Sequence, residues 1–175
     1  MTTRWRDVPA PDLGPGTRLR PMVAADLRDV MALEHELFAD DPWTARMFAE
    51  EVAQPPESRL YLVAEAESLP PTTGGRVMAG YAGMMFVPGG VQADVLTIAV
   101  ATAHWGRGIG SALLGALLDA ATGRGCAEVF LEVREDNPRA RGLYQRRGFE
   151  EIGVRRGYYQ PSGVNAIVMR KDLRR

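Results

Sequence analysis

The chain has 175 residues, a formal net charge of −1, 46% hydrophobic and 25% charged residues, one cysteine and two histidines. That length holds one ordinary domain with a full core, the composition is that of a soluble globular protein, and a charge near zero gives no support to direct nucleic-acid binding. No apolar run approaches the ~20 residues that cross a bilayer. A lone cysteine excludes an internal disulfide and a Cys-based zinc site, and His35 and His104 are too far apart in sequence to form a metal motif.

The first residues, MTTRWRDVPAPDLGPG, have no apolar core for a signal peptide. The prolines and glycines between Pro9 and Gly16 predict a loose arm over residues 1–16, ahead of a single domain over 17–175. These features predict a cytoplasmic, metal-free protein. Thr17 to Met22 alternates as a strand does, and Asp26 to Phe38 places Leu27, Val30, Met31, Leu33, Leu37 and Phe38 at helical spacing. A second helix is predicted from Thr44 to Val52, stopped by Pro55-Pro56. Arg59 to Glu65 reads as a strand, Pro70 to Gly75 as a turn, and Arg76 to Phe86 and Val91 to Val100 as a hairpin joined at Pro88-Gly89-Gly90. Then follow a helix from about Gly108 to Thr122, a strand from Ala127 to Arg134, and a helix capped by Asn137 with Pro138 in its first turn and ended by Gly148. Strands at Phe149 to Gly157 and Asn165 to Asp172 flank a loop at Tyr158 to Gly163. The order β-α-α-β-β-β-α-β-α-β-β predicts an α/β (α+β) domain with helices packed on a mixed sheet.

The stretch HWGRGIGSALL puts Gly106, Gly108 and Gly110 at alternate positions before an apolar helix whose face is traced by residues 109, 112, 113, 116, 117 and 120. Glycines there place small residues where backbone N–H groups lack helical partners, which together with the positive end of the helix dipole makes an anion site. Ser111 adds a hydroxyl and Arg107 a positive charge. A tight turn requiring positive φ explains the glycines equally well. The spacing is neither the dinucleotide G-x-G-x-x-G nor a P-loop, which leaves a phosphate-bearing ligand of another kind.

With the strand Leu96-Thr97-Ile98-Ala99-Val100, the loop Gly106-Arg107-Gly108-Ile109-Gly110-Ser111 and the helix behind it, the chain resembles the GNAT superfamily of acetyl-CoA-dependent N-acetyltransferases over about Thr17 to Leu173. The superfamily's loop usually begins with Gln or Arg; Trp105 stands there here. Leu131-Glu132-Val133-Arg134, Asn137, Leu143-Tyr144, Gly148-Phe149, Arg156-x-Tyr158-Tyr159 and Ala166-Ile167-Val168-Met169 resemble the ribosomal-protein-alanine N-acetyltransferases within it. Phe38-x-x-x-Pro42-Trp43-Thr44 resembles their Phe-Pro-Trp-Ser segment with an insertion, and Asn165 replaces their usual Asp. The resemblance implies the GNAT fold, a mixed, mostly antiparallel sheet of about seven strands with about four helices. It also implies acetyl-CoA as cosubstrate, held by Ile98, Ala99 and Val100 of a splayed strand, by residues Gly106 to Ser111, and by Asn137, which also reads as a plain helix N-cap.

Transfer from a thioester to an amine needs a neutral amine, a polarised carbonyl and a proton for the departing thiolate. The resemblance makes Glu132 the base and Tyr144 the acid. On its own residues Glu132 also reads as a solvated strand glutamate paired with Arg134, and Tyr144 as a helix aromatic in the core. Proton transfer from an ordinary tyrosine to a thiolate is uphill by about 1.5 pK units, roughly 2 kcal/mol. Cys126 follows a helix C-terminus, where thiolate is disfavoured, so transfer is expected to be direct. Trp43, Tyr158 and Tyr159 read either as core or rim aromatics or as substrate-lining groups. Asp40 and Asp41 read as solvated loop charges that would suit a basic acceptor. The resemblance implies the N-terminal alanine of a small-subunit ribosomal protein as acceptor, with the enzyme a monomer or weak dimer. Rival readings are a GNAT enzyme acting on lysine or a small amine, and an acyl-CoA sensor without turnover.

Overall fold

The computed structural model describes residues 16–68 and 75–174. The predicted arm, apart from Gly16, and the predicted turn, apart from Gly75, lie outside the described residues. A seven-stranded sheet runs in the order β1 (Arg18–Pro21), β2 (Arg59–Glu67), β3 (Arg76–Phe86), β4 (Gln92–Val100), β5 (Glu128–Arg134), β7 (Val164–Asp172), β6 (Glu150–Tyr159). Every neighbouring pair is antiparallel except β4 and β5, which are parallel. Helices α1 (Leu27–Leu37) and α2 (Ala45–Val52) follow β1; α3 (Ile109–Gly123) and α4 (Pro138–Arg146) follow β4 and β5. The element order is the one the sequence predicts, and the architecture is the GNAT fold.

Burial along the strands shows where each face is covered. Leu60 to Ala64 of β2 and Ala79 to Met84 of β3 are buried at every position, as expected of strands with helices on both faces. β5 instead alternates, with Val129, Leu131 and Val133 buried and Phe130, Glu132 and Arg134 half-exposed. One core holds Leu62, Met84, Val129, Ile167 and Met169 against Leu113, Leu114 and Leu117 of α3. The other holds Tyr61, Val63, Tyr81 and Ala99 against Val30 and Leu33 of α1 and Phe48 of α2. The buried face of α3 is wider than its predicted stripe, taking in Leu114, Leu118 and Ala121. The helix contacts β2, β3 and β4, and a helix crossing three strands buries more than one stripe. No helix among the described residues is long and apolar enough to cross a membrane.

The first predicted helix starts later than expected. Ala24–Asp26 is a 3₁₀ turn, because Asp26 is taken up by Arg20, whose two terminal nitrogens reach its carboxylate at 2.7 Å each. The Arg20 guanidinium also holds the Asp26 carboxyl below the usual carboxylate range. The α2 N-terminus is capped by Thr44, whose hydroxyl accepts from the Met47 N–H at 3.2 Å.

Between these helices, Glu34 is buried and joins three elements. Its carboxylate accepts a short hydrogen bond from the Tyr81 hydroxyl of β3 and another from the Trp43 N–H at 2.8 Å, so it ties the α1–α2 loop to the sheet. Glu34→Ala leaves the Tyr81 hydroxyl buried without this acceptor, and urea unfolding is expected to show a loss of about 1–3 kcal/mol.

Candidate active site

The site begins where β4 and β5 part. They pair only over Gln92–Val95 with Glu128–Leu131; past Val95, β4 stays on β3 while β5 continues on β7 to Arg134. A register shift accompanies the parting. Gly83 faces Thr97 but Met84 faces Val95, so Leu96 is an extra residue in β4. A bulge of this kind reverses which side each later residue faces. Ala93 and Val95 lie in the α3 core before it, and Ile98 and Val100 pack on that core after it. Leu96 and Ala99 lie on the α1/α2 side. The Ala101 N–H donates to the Ala79 carbonyl at 2.9 Å. In an antiparallel ladder bonded pairs alternate with non-bonded ones, so Val100 opposite Gly80 and Ile98 opposite Ala82 direct their N–H and C=O groups away from β3, into the opening.

Two cavities meet there. One, of about 400 Å³, is bounded by Leu96 to Ile98, by Leu131 to Arg134, and by Phe38, Asp40, Asp41 and Trp43. The other, of about 650 Å³, is bounded by Ile98 to Val100, by Gly106, Gly108, Ile109, Gly110 and Ser111, and by Arg139, Leu143 and Arg146. Ile98, Asn137, Ala140 and Tyr144 line both.

The loop into α3 has the positive φ that the turn reading of its glycines requires, and its geometry is compatible with the anion reading. Gly106 and Gly108 have φ of 77° and 79°, the left-handed region that favours glycine, and a Cβ on either would meet nothing within 4 Å. The space over the loop is open to a ligand. The helix ladder starts at Ala112, which donates to the Gly108 carbonyl at 3.0 Å, so the N–H groups of Ile109, Gly110 and Ser111 have no helical partner.

The Arg107 side chain is engaged elsewhere. It does not line the cavity; it lies 3.1 Å from Nδ1 of buried His104, which burial and the nearby guanidinium hold below its ordinary pKa, as a neutral acceptor. The cations at this cavity are Arg139 and Arg146 of α4. Arg139 stacks 3.7 Å from the Trp105 ring centroid, while the Trp105 indole donates to the Val100 carbonyl at 2.7 Å. Ser111 lines the cavity with its hydroxyl oxygen accepting from Arg147 at 2.6 and 3.0 Å.

Tyr144 is buried against Phe149, ring centroids 5.8 Å apart, and burial pushes its phenol well above the ordinary value. Asn137 does cap α4, its side-chain oxygen accepting from the Ala140 N–H at 3.0 Å, and it lines both cavities while doing so. Glu132 corrects a second expectation. Its partner is Arg155 of β6, whereas Arg134 bonds Asp136 through two contacts of 2.9 Å. Trp43 lines the first cavity and packs on Phe48 at 5.1 Å. Tyr159 lines it too, its phenol pushed up to about 12 by burial and by Glu132. Tyr158 stands outside the wall, edge-on to Tyr159 at 5.2 Å, its phenol held above the ordinary value chiefly by Glu132. Cys126 is buried, and burial raises its thiol. Among the described residues no group of three or more His, Cys, Asp or Glu is placed to hold a metal.

Sequence reasoning missed Arg139, Arg146, Glu34 and Arg155. The i, i+7 spacing of Arg139 and Arg146 on one helix was a readable signal. Arg155 had none, because its contact with Glu132 depends on an irregular strand.

Residues 25–149 match the model of the acetyltransferase (GNAT) family. The chain is 40% identical over 154 residues to the N-alpha-acetyltransferase RimI of Mycobacterium tuberculosis, covering 86% of this chain and 89% of that one. The crystal structure of the ribosomal-protein-S18-alanine N-acetyltransferase from Escherichia coli superposes with a TM-score of 0.74 at 31% identity, covering 90% of this chain and 94% of that one. Arabidopsis thaliana NAA60 in complex with acetyl-CoA shares the fold, with a TM-score of 0.78 at 18% identity and coverage of 91% and 99%. By family match and relatedness alike, the chain belongs to the GNAT family of acetyltransferases.

Proposed function

We propose that the protein transfers an acetyl group from acetyl-CoA directly to the N-terminal α-amino group of a ribosomal protein, with Glu132 as base and Tyr144 as acid. The observation that carries this reading is the opening between β4 and β5. It joins a cavity with acidic walls to one with glycine N–H groups and two arginines, and Tyr144 borders both. The residues present fit the cosubstrate: free N–H groups at Ile109 to Ser111 with Arg139 and Arg146 suit its phosphates, and the backbone of Ile98 and Val100 suits its amide-bearing arm. When bound, acetyl-CoA supplies the thioester carbonyl and the leaving sulfur.

The protein's residues divide the remaining work. Glu132 lies on the acidic side, where the amine enters, and takes its proton directly or through a water. An α-amine, with a pKa of about 7.7–8.0, demands little of that base. The amine nitrogen forms its bond to the acetyl carbon as the carbon–sulfur bond breaks; Tyr144 donates its phenolic proton to the sulfur, and the proton the nitrogen loses on becoming an amide restores the phenol through solvent. Burial keeps that proton on Tyr144 until a strong base develops beside it, and the same desolvation raises the affinity of the thiolate for it. Asp40 and Asp41 favour an acceptor with a basic residue near its N-terminus. The reading suits a cytoplasmic enzyme whose relatives include one named for ribosomal protein S18.

Gly108→Val fills the open space over the loop and is expected to raise the KM for acetyl-CoA far more than that for the acceptor; calorimetry should show weakened CoA binding. Cys126→Ala is expected to leave turnover nearly intact, since direct transfer needs no acyl-enzyme; an acetyl-thioester trapped on Cys126 would reverse the mechanism. Glu132→Gln should lower kcat on the order of 10²–10⁴-fold near pH 7 with a peptide beginning Ala-Arg. That loss should shrink as pH rises past the amine pKa, because the amine then arrives neutral. Tyr144→Phe keeps the packing but removes the donor, so its defect should persist at high pH. Parallel pH–rate profiles for the two variants would refute the division of roles, and acetylation of internal lysines in preference to the N-terminus would refute the acceptor.

A further inference from the structure

We infer that Arg155 and Tyr158, at an irregularity near the end of β6, are positioning residues for Glu132, holding its carboxylate in place at the acceptor side of the β4–β5 opening. The inference rests on the reading of Glu132 as the base.

The geometry comes from a bulge. β6 pairs with β7 with one extra residue at Ile152, then regularly from Gly153 to Arg155 opposite Ala166, and pairing resumes at Tyr159 opposite Val164. Three residues of β6, Arg156 to Tyr158, therefore stand against the single Asn165 of β7. Asn165 fixes the distortion from both ends of its amide: its oxygen accepts from the Gly157 N–H at 2.9 Å, and its nitrogen donates to Glu135 at 2.8 Å. A regular strand sends alternate side chains to opposite faces, and bulges re-aim them. Here Arg155 reaches Glu132 through an ion pair, its guanidinium 4.7 Å from the Tyr158 ring centroid, and the Glu132 carboxylate raises the pKa of the Tyr158 phenol.

The surrounding charges give this contact its purpose. Glu34, Glu36, Asp40 and Asp41 line the same cavity, and Asp94 of β4 lies close enough to Glu132 for each to feel the other's charge. Tyr159 faces Glu132 as a neutral phenol. Arg134, two residues along β5, is committed to Asp136. Among the described residues, Arg155 is the cation paired with Glu132. A base has to meet its proton at a fixed place, and among acidic neighbours an ion pair to a positive partner fixes where a carboxylate stands. The Arg155 side chain is 56% exposed, and ion pairs so open to solvent add little to folding. Holding the carboxylate is the role left for it.

A double-mutant cycle tests the assignment, with kcat and both KM values measured on acetyl-CoA and an Ala-Arg peptide at pH 7 and pH 9. Arg155→Gln should lower kcat roughly tenfold at pH 7, within the range of coupling between contacting groups, with the KM for acetyl-CoA unchanged. The defect should narrow at pH 9, and Arg155→Lys should recover most of the rate. Tyr158→Phe should show a smaller loss with the same pH dependence. In a Glu132→Gln background, Arg155→Gln should cost less than about twofold, since the group it positions is gone. Equal losses in both backgrounds, a defect that persists at pH 9, or a variant faster than the parent would overturn the inference while leaving the base reading intact. A Glu132→Gln enzyme as active as the parent at pH 7 would overturn both.

Discussion

The parting of β4 from β5 is the constraint on which the site depends. Backbone N–H and C=O groups demand partners, and a strand leaving its neighbour in mid-sheet abandons several at once. In this chain the cost is confined to a short stretch. β3 still satisfies one edge of β4 and β7 one edge of β5, and the groups left over belong to Ile98 and Val100 of β4 and, by the same alternation, to Glu132 and Arg134 of β5. One of these, the Val100 carbonyl, is already met by the Trp105 indole. The remainder form an incomplete ladder that an extended, amide-bearing ligand can extend as an added strand would. The parallel pairing of these two strands matters as well. It sends the chain through α3 between them, which places the start of that helix, with its free N–H groups, beside the opening.

The bulge at Leu96 converts the opening into a site with two chemically distinct sides. Without it, Ile98 would lie on the α1/α2 side and Leu96 and Thr97 would be split between faces. With it, β4 presents Ile98 and Val100 toward the α3 core, while β5 presents Glu132 and Arg134 on the opposite side from Val133. The charged walls and the buried tyrosine thus approach one gap from different directions. A base and an acid for one transfer need this separation, because adjacent groups would exchange a proton with each other.

Much of this was legible in the sequence. Apolar spacing and turn residues gave every element in order, since helix and strand periods are local properties. The glycine loop was legible because positive φ and close approach both select glycine; the structure shows the positive φ and leaves the space above the loop open. Charged side chains were less legible. Arg107 adjoins the anion loop in sequence, yet turns to His104, because a guanidinium on a long flexible stem goes to the nearest buried acceptor. Glu132 and Arg134 share a strand face, which suggested a pair, but residues two apart on a strand are less close than cross-strand neighbours. The sheet order brings β6 within reach of β5 only across β7, and no periodicity announces that.

Asn165 shows how one departure from a family pattern acquires meaning only in three dimensions. An aspartate there would still accept from the Gly157 N–H, so the bulge alone does not require asparagine. The second contact does. Glu135 lies 2.8 Å from the Asn165 nitrogen, a distance that needs a donor, and an aspartate would set two carboxylates against each other. In this chain the end of β5 carries Glu135 and Asp136 in succession, with Asp136 already neutralised by Arg134. The amide of Asn165 therefore settles the remaining charge at that corner while gripping the bulge. The bulge in turn decides what touches Glu132. A residue that looks interchangeable in one dimension sits two contacts away from Glu132, in the structure that holds it.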